Sequence, residues 1–477
     1  MIRKNRKATK RIKAVRPWLL PGLLLAVFWG MFAVYGPGIY NDSDQYIKMH
    51  IHREPLYPLF LAALRGIFGE GWLTAMGILQ NGLAAVSIWV FARYMAGRFR
   101  LNWLEEGILA LLGLMPHMMT MFFSSLHLFL TNSVMSEALC LPLFLLFMTA
   151  CFGMCLEEER KKRREMTGLA LALAFLLSLT RSQMLLAVLL WTAVLGGRIL
   201  LEKKEKGQGA GARLPALLAA LTAALLVFAL RTLSVRTYNL VFNGRFINNT
   251  YGAVNTLTNI LYAADRFHGE RISDPEAREF FYLMYDLTEE RQANYKYAGK
   301  GWTRRAEHLE QWHDTIKYEM IEDVFYQAYD KTVTTDYIEQ NLMADETAAR
   351  IIAGILPGCF LRWLGNYLAV AAYGLIRSIA VVHPLLNQAA ALIYLSVPLL
   401  AWLVRRRGGE RGIIVVMAIA LLAVLANAAA VSVTIMCLSR YMIYGFTTFY
   451  AGYFLLLREI RKSYWRRRAP SEKGGRS

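Results

Sequence analysis

The chain has 477 residues, 56% of them apolar, with a mean hydropathy of +0.32 and a formal charge of +19. Apolar content this high excludes a soluble globular enzyme, and positive charge confined to short clusters between apolar runs excludes a nucleic-acid binder. Five cysteines without CxxC or metal-type spacing exclude a disulfide scaffold. What remains is an all-α polytopic membrane protein.

In chain order, residues 1–16 form a basic tail carrying Arg3, Lys4, Arg6, Lys7, Lys10, Arg11, Lys13 and Arg16 with no acid, which places it in the cytoplasm. The apolar run behind it is as long as a bilayer crossing and no small-residue cleavage site follows, so it reads as a retained helix rather than a signal peptide. Runs long enough to span occur near 17–39, 72–96, 104–123, 134–156, 166–180, 183–198, 214–233, 382–404, 412–432 and 441–458. The fifth and sixth are short enough to be one broken hairpin. Basic clusters then fall in alternate loops: Arg93, Arg98 and Arg100; "RKKRR" at 160–164; Lys203, Lys204 and Lys206; "RRR" at 405–407; and "YWRRR" at 464–468. About ten spans follow, in a transmembrane module (17–233), C-terminal spans (381–458) and a basic cytoplasmic tail (459–477).

Between 234 and 350 the composition turns acidic and aromatic, with helical periodicity from Asp286 to Glu346, which predicts a mainly helical exterior domain. The apolar stretch 351–380 contains Pro357, Arg362 and Asn366, and counting it as a span inverts one side of the charge pattern. It is expected to be an interfacial or re-entrant helix.

The first exterior loop (40–71) contains "NDSDQYIKMHIHREPLYPLF", Asn41 to Phe60, with more polar chemistry than an anchor needs. Three further positions are unusual. Glu137 opens the fourth span, Arg181 interrupts the hairpin at its outer tip, and Arg440 opens the last span. The orientation set by the cytoplasmic clusters puts Asp42, Asp44, Glu137, Arg181 and Arg440 on one side, and ionisable groups at membrane depth point to a site. Arginines can hold a lipid-linked phosphate bidentately and stabilise a leaving group, while a carboxylate across the anomeric carbon takes the proton of an attacking hydroxyl. Those are the parts of an inverting sugar transfer.

The loop resembles the first exterior loop of the GT-C superfamily of membrane glycosyltransferases, which includes the family 39 protein O-mannosyltransferases. The resemblance rests on Asp42, Asp44, Tyr46 and Pro55-Leu56-Tyr57-Pro58, with "VMSEALCLPLFLL", "LTRSQMLLAVLL" and "SRYMIYGFTTFYAGYFLLL" as further matching segments. It implies a GT-C-like fold and a plasma-membrane glycosyltransferase, mannosyltransferase-like in the cell envelope, with its active site on the extracytoplasmic side. The implied donor is a polyprenyl-phosphate-linked sugar held among membrane lipid, and the acceptor is a glycan, lipid or protein. Asp42, Asp44 and Glu137 are the catalytic candidates. Tyr46, His52, Arg53, Tyr57, Arg181 and Arg440 are the substrate-binding candidates. Many relatives carry adjacent acids, whereas Ser43 separates this pair, so the base is either Asp42 or Asp44. The acid-x-x-x-Tyr spacing to Tyr46 favours Asp42. The separated pair also has the form that holds a divalent cation (Mg or Mn) elsewhere, and metal use stays open.

Each residue has a plainer reading. Asp42 or Ser43 also reads as a helix N-cap, Glu137 as an acid favoured by a helix dipole, and both arginines as side chains reaching for headgroups. His50 and His52, at i and i+2, do not share one helix face. A polymerase or ligase of lipid-linked glycans would also use outer arginines without needing the acidic loop. A transporter or flippase would show polar broken helices at the midplane and internal repeats, and neither stands out here.

Overall fold

A computed structural model describes residues 2–40, 42–122, 127, 129–201 and 213–468. Asn41, Lys203, Lys204 and Lys206 lie outside the described residues, as do the side chains of 2–17 and 465–468. The chain is all-α. Its helices are α1 (Ile2–Tyr35), α2 (Ser43–Ile47), α3 (Leu56–Phe68), α4 (Trp72–Phe99), α5 (Trp103–Phe122) and α6 (Glu137–Leu156). They continue with α7 (Arg160–Thr180), α8 (Leu185–Leu201), α9 (Arg213–Asn243), α10 (Gly252–Ala263), α11 (Pro275–Glu290) and α12 (Trp302–Thr315). The last are α13 (Asp323–Thr332), α14 (Tyr337–Ile379), α15 (Pro384–Arg406), α16 (Arg411–Thr434), α17 (Ser439–Met442) and α18 (Phe446–Arg468).

Among the described residues, eight helical segments are long and apolar enough to cross a membrane: Trp18–Tyr35, Leu56–Phe99, Glu137–Leu156, Ser182–Leu201, Arg213–Asn243, Tyr337–Ile379, Pro384–Arg406 and Arg411–Thr434. That pattern is consistent with a multi-pass membrane protein. Eight is fewer than the ten expected. The segments near 104–123, 166–180 and 441–458 fold as α5, α7 and α18 and pack into the same core. Charged residues interrupt their apolar runs: Glu105 and Glu106, Arg163 to Glu165, and Arg458 to Lys462.

α6 is apolar on all sides and sits at the centre of the bundle, as such a helix must. Around it, one end of the bundle gathers the basic loops. Arg98 pairs with Glu410 at 2.8 Å, Arg458 with Glu105 at 2.6 Å, and the Tyr94 hydroxyl donates to Glu157 at 3.1 Å. The opposite end carries residues 36–55, 129–137, 181–184 and 435–445.

At that opposite end α10 to α14 form a helical unit. The stretch expected to be interfacial is the C-terminal part of the 43-residue α14. Length and composition would let α14 cross a membrane, and ion pairs also tie it to the unit. Arg350, Arg362 and Arg377 pair with Asp274, Asp265 and Glu310 at 3.1, 2.8 and 2.7 Å. The unit does not have a core of its own. Val254, Phe281, Met320 and Ile351 share one buried cluster with Val431, Cys437, Tyr441 and Met442 from α16, α17 and the segment between them. Gly374 permits this approach: a Cβ there would lie 2.8 Å from Cys437 Sγ.

Between α12 and α13, Ile316–Glu322 is a π-helical turn. Residues five apart on an α-helix point about 140° away from each other. In the wider π turn they return to nearly the same side, which lets Lys317 and Glu322 share one face.

Candidate functional site

The first loop is built onto the segment before α6. Gly38 and Val134 exchange backbone hydrogen bonds with the partner strand-like segment: Gly38 N–H donates to Asn132 O and Val134 N–H to Gly38 O, both at 2.9 Å. Ser43 is fully buried, and its hydroxyl donates to Val134 O at 2.9 Å while accepting from Tyr40 N–H. These bonds set α2 beside Ser136 and Glu137. Asp42 stands at the N-cap of α2, yet its carboxylate makes no capping bond. It points elsewhere.

Arg53 Nη2 lies 3.0 Å from one oxygen of Asp42, and Arg440 Nη1 lies 3.6 Å from the other. Arg440 Nε is 3.9 Å from Glu137, and Arg181 Nη1 is 2.8 Å from the same Glu137 oxygen. Tyr46 links the two halves, sharing a 2.9 Å hydrogen bond with Ser136 Oγ and accepting one from Arg53 at 3.2 Å. Tyr441 lies under both Arg181 and Arg440, with the guanidinium carbons 4.6 and 4.7 Å from its ring centre. Three guanidinium groups thus face two carboxylates, leaving a formal charge of +1. That balance favours an anion.

Burial pushes the Asp42 carboxyl up, but the Arg53, Arg440 and Arg181 guanidiniums outweigh it and hold it below the usual carboxylate range. Asp42 is therefore ionised at neutral pH. Burial pushes His52 down to about 3, with Arg53 adding to the effect, so its ring is neutral. His52 Nε2 and Arg53 Nε both donate to Gln45 Oε1 at 2.8 Å, which leaves His52 Nδ1 as an acceptor without a partner.

These groups open onto a cavity of about 1150 Å³. Asp42, Tyr46, His52, Arg53, Arg181 and Arg440 line it. One flank continues as an apolar groove between α8 (Leu185, Leu189, Ala193) and α16 (Leu422, Ala426, Ala430), where Leu189 is 57% exposed. The opposite flank is polar and belongs to the helical unit, with Tyr251, Lys317 and Glu322.

Three expected site residues are placed differently. Asp44 is on the surface of α2, 58% exposed, and pairs with Lys48 at 2.8 Å one helical turn away. Tyr57 is fully buried, its hydroxyl donating to Gln80 Oε1 at 2.9 Å, and it does not line the cavity; it anchors the loop to α4. Glu137 is 1% exposed, lies 2.8 Å from Arg181 and 3.9 Å from Arg440, and does not line the cavity. The separated acids do not fit a divalent cation: Asp42 faces two guanidiniums and Asp44 faces Lys48. Among the described residues no three His, Cys, Asp or Glu side chains converge as a metal-binding group would.

Sequence reasoning missed Gln45, Glu54, Arg231, Tyr251, Lys317 and Glu322, all of which line the cavity. Arg231 had a readable signal, a charge inside the long apolar α9, where it pairs with the buried Glu54. Lys317 and Glu322 had none, because a π turn leaves no periodic mark. No family model, curated protein or solved structure matches the chain.

Proposed function

We propose that the protein is an inverting glycosyltransferase of GT-C type, transferring a sugar from a polyprenyl-phosphate donor to an acceptor at the outer face of the plasma membrane. The observation that carries the reading is the position of Asp42: an ionised carboxylate on the cavity wall between Arg53 and Arg440, beside the mouth of an apolar groove. A polyprenyl chain has the shape and polarity of the α8–α16 groove. Its phosphate then meets Arg181 and Arg440, whose charges the two carboxylates leave incompletely neutralised. A hydrocarbon chain gains about 0.8 kcal/mol per buried CH₂, so the tail supplies affinity and the arginines supply position.

In the reaction, the acceptor oxygen attacks the anomeric carbon from the face opposite the phosphate and gives its proton to Asp42. The bond between that carbon and the phosphate oxygen breaks, with both electrons leaving on the polyprenyl phosphate. The guanidiniums stabilise that developing charge, and no step is assigned to a metal. The ionised Asp42 carboxylate beside the leaving-group clamp favours this reading over a flippase, whose task needs no base at that position. The test compares surface glycans by mass spectrometry in cells with the wild-type gene, without it, and with Asp42→Asn at matched protein level. A glycan present only with the wild type supports the transferase. A profile identical in all three ends it.

A further inference from the structure

The polar flank of the cavity contains an arrangement that the transfer mechanism does not use. Thr250 Oγ1, Asn255 Oδ1, Glu322 Oε1 and His52 Nδ1 are buried side-chain atoms with no hydrogen-bond partner among the described residues, and all four residues line this cavity. Buried polar atoms are almost always satisfied, so a cluster of orphans marks a place where a ligand or ordered water belongs. Asn255 Oδ1 and His52 Nδ1 can only accept in this setting, which suits a ligand bearing hydroxyl donors.

Beside them stands a cation. Lys317 is 7% exposed, and among the described residues no carboxylate oxygen lies within 4 Å of its ammonium. It makes a 3.3 Å hydrogen bond to the Tyr318 hydroxyl and lies over the ring faces of Tyr318 and Tyr251, at 4.5 and 4.6 Å. Glu322 and Asp314 act on it from beyond ion-pair distance, and a buried cation without a direct ion pair is costly. The π turn presents it to the cavity all the same. Tyr251 is held in a left-handed backbone conformation (φ 86°), with its N–H bonded to Asp345 and its ring stacked on His52 at 5.4 Å.

We propose that this chamber, bounded by Thr250–Asn255 and the π turn, is the acceptor subsite, and that it takes a sugar bearing an anionic group, with Lys317 paired to that group. The inference rests on the transferase reading for its role, and the positions support it. Contacts run in series from Arg181 through Glu137, Arg440, Asp42, Arg53 and Gln45 to His52 and Tyr251. Asp42 stands in this series between the Arg181–Arg440 pair and the chamber, with Arg53 on its chamber side. A base there can take a proton from an acceptor while the phosphate leaves on the side of Arg181 and Arg440.

The experiment uses full-length protein in nanodiscs. Binding of methyl β-glucuronide, methyl glucoside 6-phosphate and neutral methyl glucoside is measured by saturation-transfer NMR, and binding of undecaprenyl phosphate separately by native mass spectrometry. Either anionic sugar binding at least tenfold tighter than the neutral one, with the preference lost in Lys317→Met and kept in Lys317→Arg, supports the proposal. The two anionic probes distinguish a carboxylate from a phosphate. Equal binding of neutral and anionic sugars by the wild type overturns it, a result that needs no variant to fold. Loss of undecaprenyl phosphate binding in Lys317→Met also overturns it, assigning Lys317 to the donor and leaving the transferase reading intact. Failure of the wild type to bind undecaprenyl phosphate would instead sink the transferase reading, while the sugar arms still report on the chamber.

Discussion

At the scale of single residues, the first loop shows how identical side chains separate in role. Asp42 and Asp44 are two positions apart, but one faces guanidiniums in a cavity and the other a lysine on the surface. Asp42→Asn should lower kcat by about 10²–10⁴-fold, the range for losing a general base, and Asp44→Asn should stay within about twofold; a radiolabelled-donor assay on purified protein measures both. Glu322 gives a stability prediction. Burial raises its carboxyl to about 7, so the folded state holds the proton more tightly than the unfolded chain. The associated stabilisation is complete below the usual carboxylate value and is lost as pH rises through about 7. The thermal midpoint of the wild type should therefore fall between pH 5 and 8 relative to Glu322→Gln, and parallel curves would refute the assignment. The sequence made Asp42, Arg53, Arg181 and Arg440 legible because charge beside apolar runs is rare. It could not separate Asp42 from Asp44, since the direction of a helix only five residues long is fixed by Ser43 and its distant partner Val134.

At the scale of elements, most helices were legible from apolar runs, and the misplacements have local causes. α14 reads as apolar over 351–376, but Arg350, Arg362 and Arg377 recur along it and each finds an acid in the helical unit. Such partners are invisible without the fold. The turn before α10 depends equally on a remote group. Asp345 accepts from the backbone N–H of Tyr251, Ala253 and Val254 at 2.9, 2.8 and 3.0 Å, capping α10 from a different helix. Hydrogen bonds to a charged group contribute about 1.5–3 kcal/mol. Asp345→Ala should lower the unfolding midpoint and loosen the loop 248–252, read as faster amide exchange there than in α16.

At the scale of the whole molecule, the basic loops meet at one end of the bundle and the cavity lies toward the other. On the proposed reading, the positive-inside rule orients the cavity outward. In a background free of native cysteines, Lys300→Cys should react with an impermeant maleimide in intact cells, and Arg406→Cys only after permeabilisation; the reverse pattern would invert the topology. The shared core of the helical unit has a further consequence. Because Val254, Met320 and Ile351 are buried against Val431, Cys437 and Met442, cutting out residues 245–335 would strip apolar surface on both sides of the cut. That fragment should aggregate when expressed alone, as light scattering would report. The unit is accordingly no cassette for recombination to trade between chains. Any drift in what this chamber admits must proceed in place, by point substitution along its lining or by gain and loss of a codon in the π turn.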